Sequence, residues 1–121
     1  MDINFQKIIR VGKVSSTNPA DMTVRVTFPD ERELVSADLP VLCHGSKSDK
    51  DYWMPDVGEQ VVCLFLPNGR NMGFCLGTFF SKTDTPPAGA GQSKRIIKHN
   101  GDLDIECTGN IHIKGAKIYL N

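Results

Sequence analysis

The sequence GDLDIECTGNIHIKGAKIYLN, residues 101–121, decides the fold because apolar and polar residues alternate along it. A period of two residues is typical of β-strands that bury one face. The pattern returns after eight residues and again after seven, and Gly101 and Gly109 are also eight residues apart. We call this repeated apolar face the apolar row. It consists of Leu103, Ile105, Ile111, Ile113, Ile118 and Leu120.

An eight-residue repeat of short strands is typical of a β-helix. With about three rungs, one chain is too short to enclose a core of its own. Each side chain of the apolar row would contribute roughly 1.5–3 kcal/mol if buried, which is large for a small, marginally stable protein. We therefore expect three copies to wind around one axis as a triangular prism, with the apolar row as the trimer core. The alternative is a terminal hairpin that folds back onto the rest of the chain.

The first 80 residues contain several short strand patterns and no long amphipathic helix. Residues 22–28 alternate strictly, and residues 60–66 form the most apolar run of the chain. About five strands in this length predict a small closed β-barrel, for which the OB-fold is the natural size match. The predicted fold is therefore all-β, with an OB-fold domain at 1–80, a Pro/Gly-rich linker at 81–93 and a trimeric β-helix spike at 94–121.

Composition limits the possible partners. The chain has 121 residues, of which 40% are hydrophobic, and no apolar run approaches the roughly 20 residues of a membrane helix. Residues 1–7 lack the pattern of a secretory signal, so we expect the chain to be made and folded in a cytoplasm. Net charge is zero, with −3 in residues 1–60 and +3 in residues 61–121, which argues against the basic surface that phosphate binding requires.

The four cysteines are Cys43, Cys63, Cys75 and Cys107, and no two have a C-x-x-C spacing. Cys63 and Cys75 fall inside apolar runs, which favours small, reduced core residues. Disulfides are the alternative, and they are rarer in proteins that stay in a reducing compartment.

No constellation of residues predicts catalysis or metal binding. Cys43 and His44 are adjacent, and neighbouring residues of a strand point to opposite faces. Asp49, Asp51 and Asp56 lack the spacing of a calcium loop. We therefore expect no catalytic residue, no cofactor and no metal site, and we do not expect an enzyme.

Four segments carry a resemblance to a known family. RVGKV (10–14), TVRVTFPD (23–30), YWMPDVGEQVV (52–62) and LPNG (66–69) resemble the baseplate assembly protein V family of contractile phage tails. The similarity covers most of residues 5–80, and PDVGEQVV is its most specific part. It implies an N-terminal OB-fold, a C-terminal trimeric β-helix and a place at the centre of the baseplate, beneath the tail tube.

The resemblance implies a structural spike in a phage tail, an R-type bacteriocin or a related contractile injection system. Its partners would be two further copies of the chain, the baseplate hub protein and the target cell envelope. Larger relatives carry a lysozyme domain before the β-helix, but residues 81–92 are too short for one. Some relatives bind iron at the tip through His-x-His, whereas His112 has no second histidine and shares the parity of the outward, polar face. The short spike leaves room for a separate tip protein.

The alternative function is that of a monomeric OB-fold module that binds single-stranded nucleic acid. Such modules combine a basic groove with stacking aromatic side chains. Aromatic residues make up only 7% of this chain, and Tyr52 and Trp53 are the obvious candidates for stacking. A packing or subunit-interface role is the favoured interpretation of Trp53, and no nucleic acid is expected among the partners.

Overall fold

The computed structural model describes residues 8–29, 34–67 and 72–121, and these contain β-strands and no α-helix. The all-β class expected from the sequence is confirmed for this part of the chain. The chain divides into two units, Met1–Pro86 and Pro87–Asn121. The boundary between the units falls inside the segment predicted as a linker, 81–93.

The first unit contains six strands in the described residues. They are β1 (Ile9–Asn18), β2 (Thr23–Phe28), β3 (Leu34–Val35), β4 (Leu39–Pro40), β5 (Gln60–Phe65) and β6 (Gly73–Thr78). The strands pair antiparallel in the order β3-β2-β1-β5-β6, and β4 also pairs with β2.

A single parallel contact closes this sheet into a ring. Val41 directly follows β4 and forms a parallel bridge with Cys75 of β6, where the Leu42 N–H donates to the Cys75 carbonyl at 3.0 Å. The Val41 N–H also donates to the Met22 carbonyl beside β2, at 3.0 Å. The path β1–β2–β4–β6–β5 therefore returns to β1, and the enclosed side chains form the core of the unit.

Strict alternation explains the core. In β2 and β5 every second side chain is buried, as the period of two predicts. Gly77 lies at a bulge where β6 gains one residue relative to β5, and its φ of 153° suits glycine. The buried hydrophobic residues are Val14, Val24, Val26, Phe28, Leu39, Val41, Val61, Cys63, Phe65 and Cys75.

The turn before β5 contains the most specific part of the family-like motif. The Asp56 N–H donates to Glu59 Oε1 at 2.7 Å, and the Glu59 N–H donates to the Asp56 carbonyl at 3.1 Å. Gly58 supplies the positive φ, 93°, that this turn needs at its third position. Two further bonds, from the Gly58 N–H to the Val14 carbonyl at 2.8 Å and from the Val14 N–H to the Glu59 carbonyl at 3.0 Å, hold the turn against β1. The LPNG segment of the same motif set lies partly outside the described residues.

The second unit has no hydrogen-bonded strand. Its backbone turns at residues 88–89 and 92–93 and bends at 100–101, 108–109 and 116. The segments between the later points contain no turn, bend or helix, and we call them the extended segments: 94–99, 102–107, 110–115 and 117–121. The bends thus recur about every eight residues, in step with the sequence repeat. The predicted β-helix concerns several copies of the chain and stays a prediction.

Candidate assembly surface

The apolar row is exposed to solvent along its whole length in the single chain. The six side chains have exposed fractions between 52% for Ile118 and 89% for Leu120, and Ile105 reaches 75%. The second unit therefore brings no two segments of the row together into a core of its own. In the single chain, the apolar face of this segment is uncovered.

The charged side chains of the second unit are also exposed, and their sign alternates over the first three extended segments. Segment 94–99 carries Lys94, Arg95 and Lys98, whereas segment 102–107 carries Asp102, Asp104 and Glu106. Segments 110–115 and 117–121 carry Lys114 and Lys117. Within the described part of the chain, the ion pairs are Arg25–Asp38 and His44–Asp51, so none of them uses these charges.

The outer face of three neighbouring strands in the first unit is apolar as well. Ile9 of β1 is paired with Leu64 of β5, which is paired with Phe74 of β6, and all three side chains point away from the core. Val11 lies beside Val62 in the same way. Ile9 is 60% exposed and Val11 is 50% exposed. Strand β5 therefore carries apolar side chains on both faces, which explains why residues 60–66 are the most apolar run.

Arg10 is the residue whose position sequence reasoning missed. It shares the inward parity of Gly12 and Val14, and its guanidinium carbon lies 3.9 Å from the ring centroid of Phe28 and 5.4 Å from that of Phe65. The two rings meet edge to face, with centroids 5.6 Å apart. Alternation along the strand places Arg10 on the same face as Val14, which indicates an inward position. This position was not predicted, because a charged residue is normally expected to face outward.

The cysteine, histidine and aspartate of the loop after β4 lie around one pocket. His44 Nδ1 lies 3.1 Å from Asp51 Oδ2, with the His44 side chain 95% exposed. The Cys43 thiol is exposed and donates to the Gly45 carbonyl at 3.4 Å. These residues line an open pocket with Trp53. No hydrogen bond in this pocket links the thiol to the imidazole among the residues described.

Trp53 packs against the core and donates its indole N–H to the Leu42 carbonyl at 3.0 Å. This contact agrees with the packing interpretation of Trp53. The neighbouring Tyr52 hydroxyl donates to the Pro19 carbonyl at 2.9 Å, which ties the loop to the turn between β1 and β2.

Cys63 and Cys75 are cross-strand partners in the core, and both thiols are free and fully buried. Their mutual hydrogen bond and their burial raise the pKa of the Cys63 thiol far above its ordinary value. The Cys63 thiol therefore stays protonated at neutral pH, whereas the same hydrogen bond lowers the pKa of the Cys75 thiol.

In residues 8–29, 34–67 and 72–121, no three His, Cys, Asp or Glu side chains are grouped closely enough to hold a metal ion. The same residues include no helix with the length and hydropathy needed to cross a membrane. Comparison with known proteins adds no relative: no protein-family model matches the chain, and the curated proteins contain no significant match.

Proposed function

We propose that this chain is the structural spike subunit of a contractile injection particle, either a phage tail or an R-type bacteriocin. Three copies dock on the baseplate hub, and sheath contraction drives their joined C-terminal prism through the envelope of the target cell. The observation that carries the proposal is the exposed apolar row, set on extended segments that bend about every eight residues.

The energetics favour several copies. Six exposed side chains, each contributing roughly 1.5–3 kcal/mol on burial, are a large driving force for association. Three extended segments related by a threefold axis form a triangle whose inner faces meet, so every side chain of the row leaves water. The same arrangement supplies strand partners for backbone groups that lack them in the single chain.

For the first unit we propose the OB-fold. Its support is the pairing order, in which β1 lies between β2 and β5, and β4 leads by a parallel bridge to β6. This corresponds to a five-stranded Greek-key barrel if β3 and β4 are counted as one broken strand. The resemblance of the PDVGEQVV segment gives independent support, because those residues form the turn that holds β5 against β1.

The function we propose is mechanical and makes or breaks no covalent bond. In a prism built from three interwoven chains, the inter-strand hydrogen bonds of one rung break together, so the spike resists force along its axis. The apolar outer face of β1, β5 and β6 also supports an assembled state, since isolated small domains rarely expose a large apolar patch.

Light scattering on the purified chain at low concentration tests the oligomer. The expected mass is three times the 13.3 kDa of the single chain. A monomer would overturn the proposal. Electron microscopy with an antibody against the chain tests the location. Label is expected at the baseplate centre of particles from the producing strain, and particles without label would contradict the assignment.

A further inference from the structure

The strongest unexplained feature of the second unit is its alternating charge. The first extended segment is basic, the second is acidic, and the third carries Lys114, with the bends between them about eight residues apart. Within one strand, Asp102, Asp104 and Glu106 occupy the same face at spacings of two residues. Three like charges so close together repel one another, so this segment is costly unless an oppositely charged strand lies beside it.

A threefold assembly determines which residues become neighbours. Suppose that each eight-residue segment occupies one face of the prism. The first segment of one copy then lies on the first face, and its second segment lies on the second face, one rung higher. The neighbouring copy, related by the threefold axis, places its own first segment on that second face, one rung below. Over the first three segments, residue n of one copy therefore lies beside residue n+8 of the adjacent copy, at the strand spacing of about 4.8 Å.

We propose that copies of this chain recognise one another through this eight-residue offset, with opposite charges paired across each rung. The inference rests on the proposed trimer and adds to it the contacts that set its register. On the outward face, the column of Lys98, Glu106 and Lys114 alternates in sign, and Lys94 lies beside Asp102. Asp104 lies beside His112, which gives the outward histidine a partner.

The apolar row alone does not select this offset. Copies stacked with identical residues side by side would also bury the row, and that arrangement is the one that grows into open-ended fibres. It would place Glu106 beside Glu106 and Lys98 beside Lys98, which is unfavourable. With the eight-residue offset, Lys98 and Glu106 each lie beside a residue of opposite charge. No other offset does this for both residues. The charges therefore favour a closed trimer over an unlimited stack.

The test compares two variants of the full chain. Glu106→Lys makes the central column uniformly positive, whereas the triple variant K98E/E106K/K114E reverses every sign and keeps each pair opposite. With three copies of each contact, Glu106→Lys should lower the Tm of the oligomer by roughly 5 °C at low salt, and the triple variant should restore it. High salt should reduce the difference.

Asp84→Lys is the matched control, because it makes the same change of charge at an exposed position outside the extended segments. It should leave the Tm unchanged. An oligomer that tolerates Glu106→Lys, or one that the triple variant weakens as much as the single change does, would overturn the offset pairing. Light scattering on the unaltered chain separates the two ideas: a monomer there defeats the trimer itself, whereas an insensitive trimer defeats only the pairing.

Discussion

The guanidinium carbon of Arg10 lies 3.9 Å from the centroid of the Phe28 ring, on the inward face of β1. The centroid of the Phe65 ring lies 5.4 Å from the same guanidinium carbon. A cation above an aromatic face is attracted by the negative charge of the π-system. Arg10 thereby covers one end of the core with a side chain whose apolar stem also packs.

Arg10→Met should lower the free energy of unfolding by about 1 kcal/mol, because it keeps an unbranched stem and removes the cation. Urea unfolding at fixed protein concentration, followed by the fluorescence of Trp53, measures this change. Lys13→Met is the control, since Lys13 is an exposed residue of the same strand. Equal effects of the two changes would contradict the cation–π assignment.

Much of the barrel could be predicted from the sequence, because alternation is a local property. The strict alternation of residues 22–28 and the apolar run of residues 60–66 coincide with β2 and β5. Ser15, Ser16 and Thr17 carry no apolar signal, so the sequence did not indicate that β1 extends to Asn18. The closing bridge between Val41 and Cys75 was also beyond the pattern, because it joins segments that are far apart in the chain.

For the candidate site, the sequence predicted which residues form the apolar row, and the structure adds their exposure and the bends between segments. The sequence could not show the assembled arrangement that we propose, because in that arrangement the neighbours of each segment belong to other copies. The inward position of Arg10 was missed for a different reason. Its placement depends on two aromatic rings, from β2 and β5. These strands are distant in the sequence, so the residues around Arg10 do not indicate the contact.

Gly12 lies where β1 passes closely over β2, so a side chain there has no room. A methyl group on Gly12 would approach Val26 Cγ1 to 2.5 Å, the Thr27 carbonyl oxygen to 2.6 Å and Phe28 Cδ1 to 2.8 Å. Gly12→Ala should therefore destabilise the barrel by about 1–3 kcal/mol in urea unfolding. Gly91→Ala meets open space and should change stability little. Similar losses for both variants would show that the close approach is not the cause.

The thiols should differ sharply in reactivity. Cys43 is exposed and should react at once with a chromogenic disulfide reagent, whereas Cys63 and Cys75 are fully buried and should react only after unfolding in urea. Cys43→Ser is the control, because it should remove the fast labelling of Cys43 and leave the slow labelling of Cys63 and Cys75. Fast labelling of Cys63 in the folded protein, detected by mass spectrometry of its peptide, would contradict the buried pair.

Alkaline pH should destabilise the barrel through Cys63. Its hydrogen bond with Cys75 and its burial raise the pKa of Cys63 above the ordinary 9.0. The folded state then holds a proton that the unfolded chain releases, so the stabilisation is complete below pH 9 and is lost as the pH rises further. The slope should be about 1.4 kcal/mol per pH unit. Cys63→Ala should flatten the fall in unfolding free energy above pH 9, and an unchanged slope would refute the assignment.

Ile113 offers the most direct probe of the apolar row. Ile113→Asp would bring three carboxylates together on a dry axis, where burying unpaired charge is strongly unfavourable, so light scattering should show dissociation to single chains. His112→Ala changes the adjacent, outward residue and should leave the mass at three chains.

The reactivity of the Cys107 thiol is a second measurement on the same variant, because Cys107 shares the face of Leu103 and Ile105. In the assembled protein this thiol should be protected, and in the Ile113→Asp variant it should react as fast as Cys43. Because the apolar row lies in the second unit and Trp53 in the first, unfolding followed by Trp53 fluorescence should still show a folded barrel in the variant. A trimer that survives Ile113→Asp, with Cys107 as reactive as Cys43, would place the apolar row outside the trimer core and contradict its assignment.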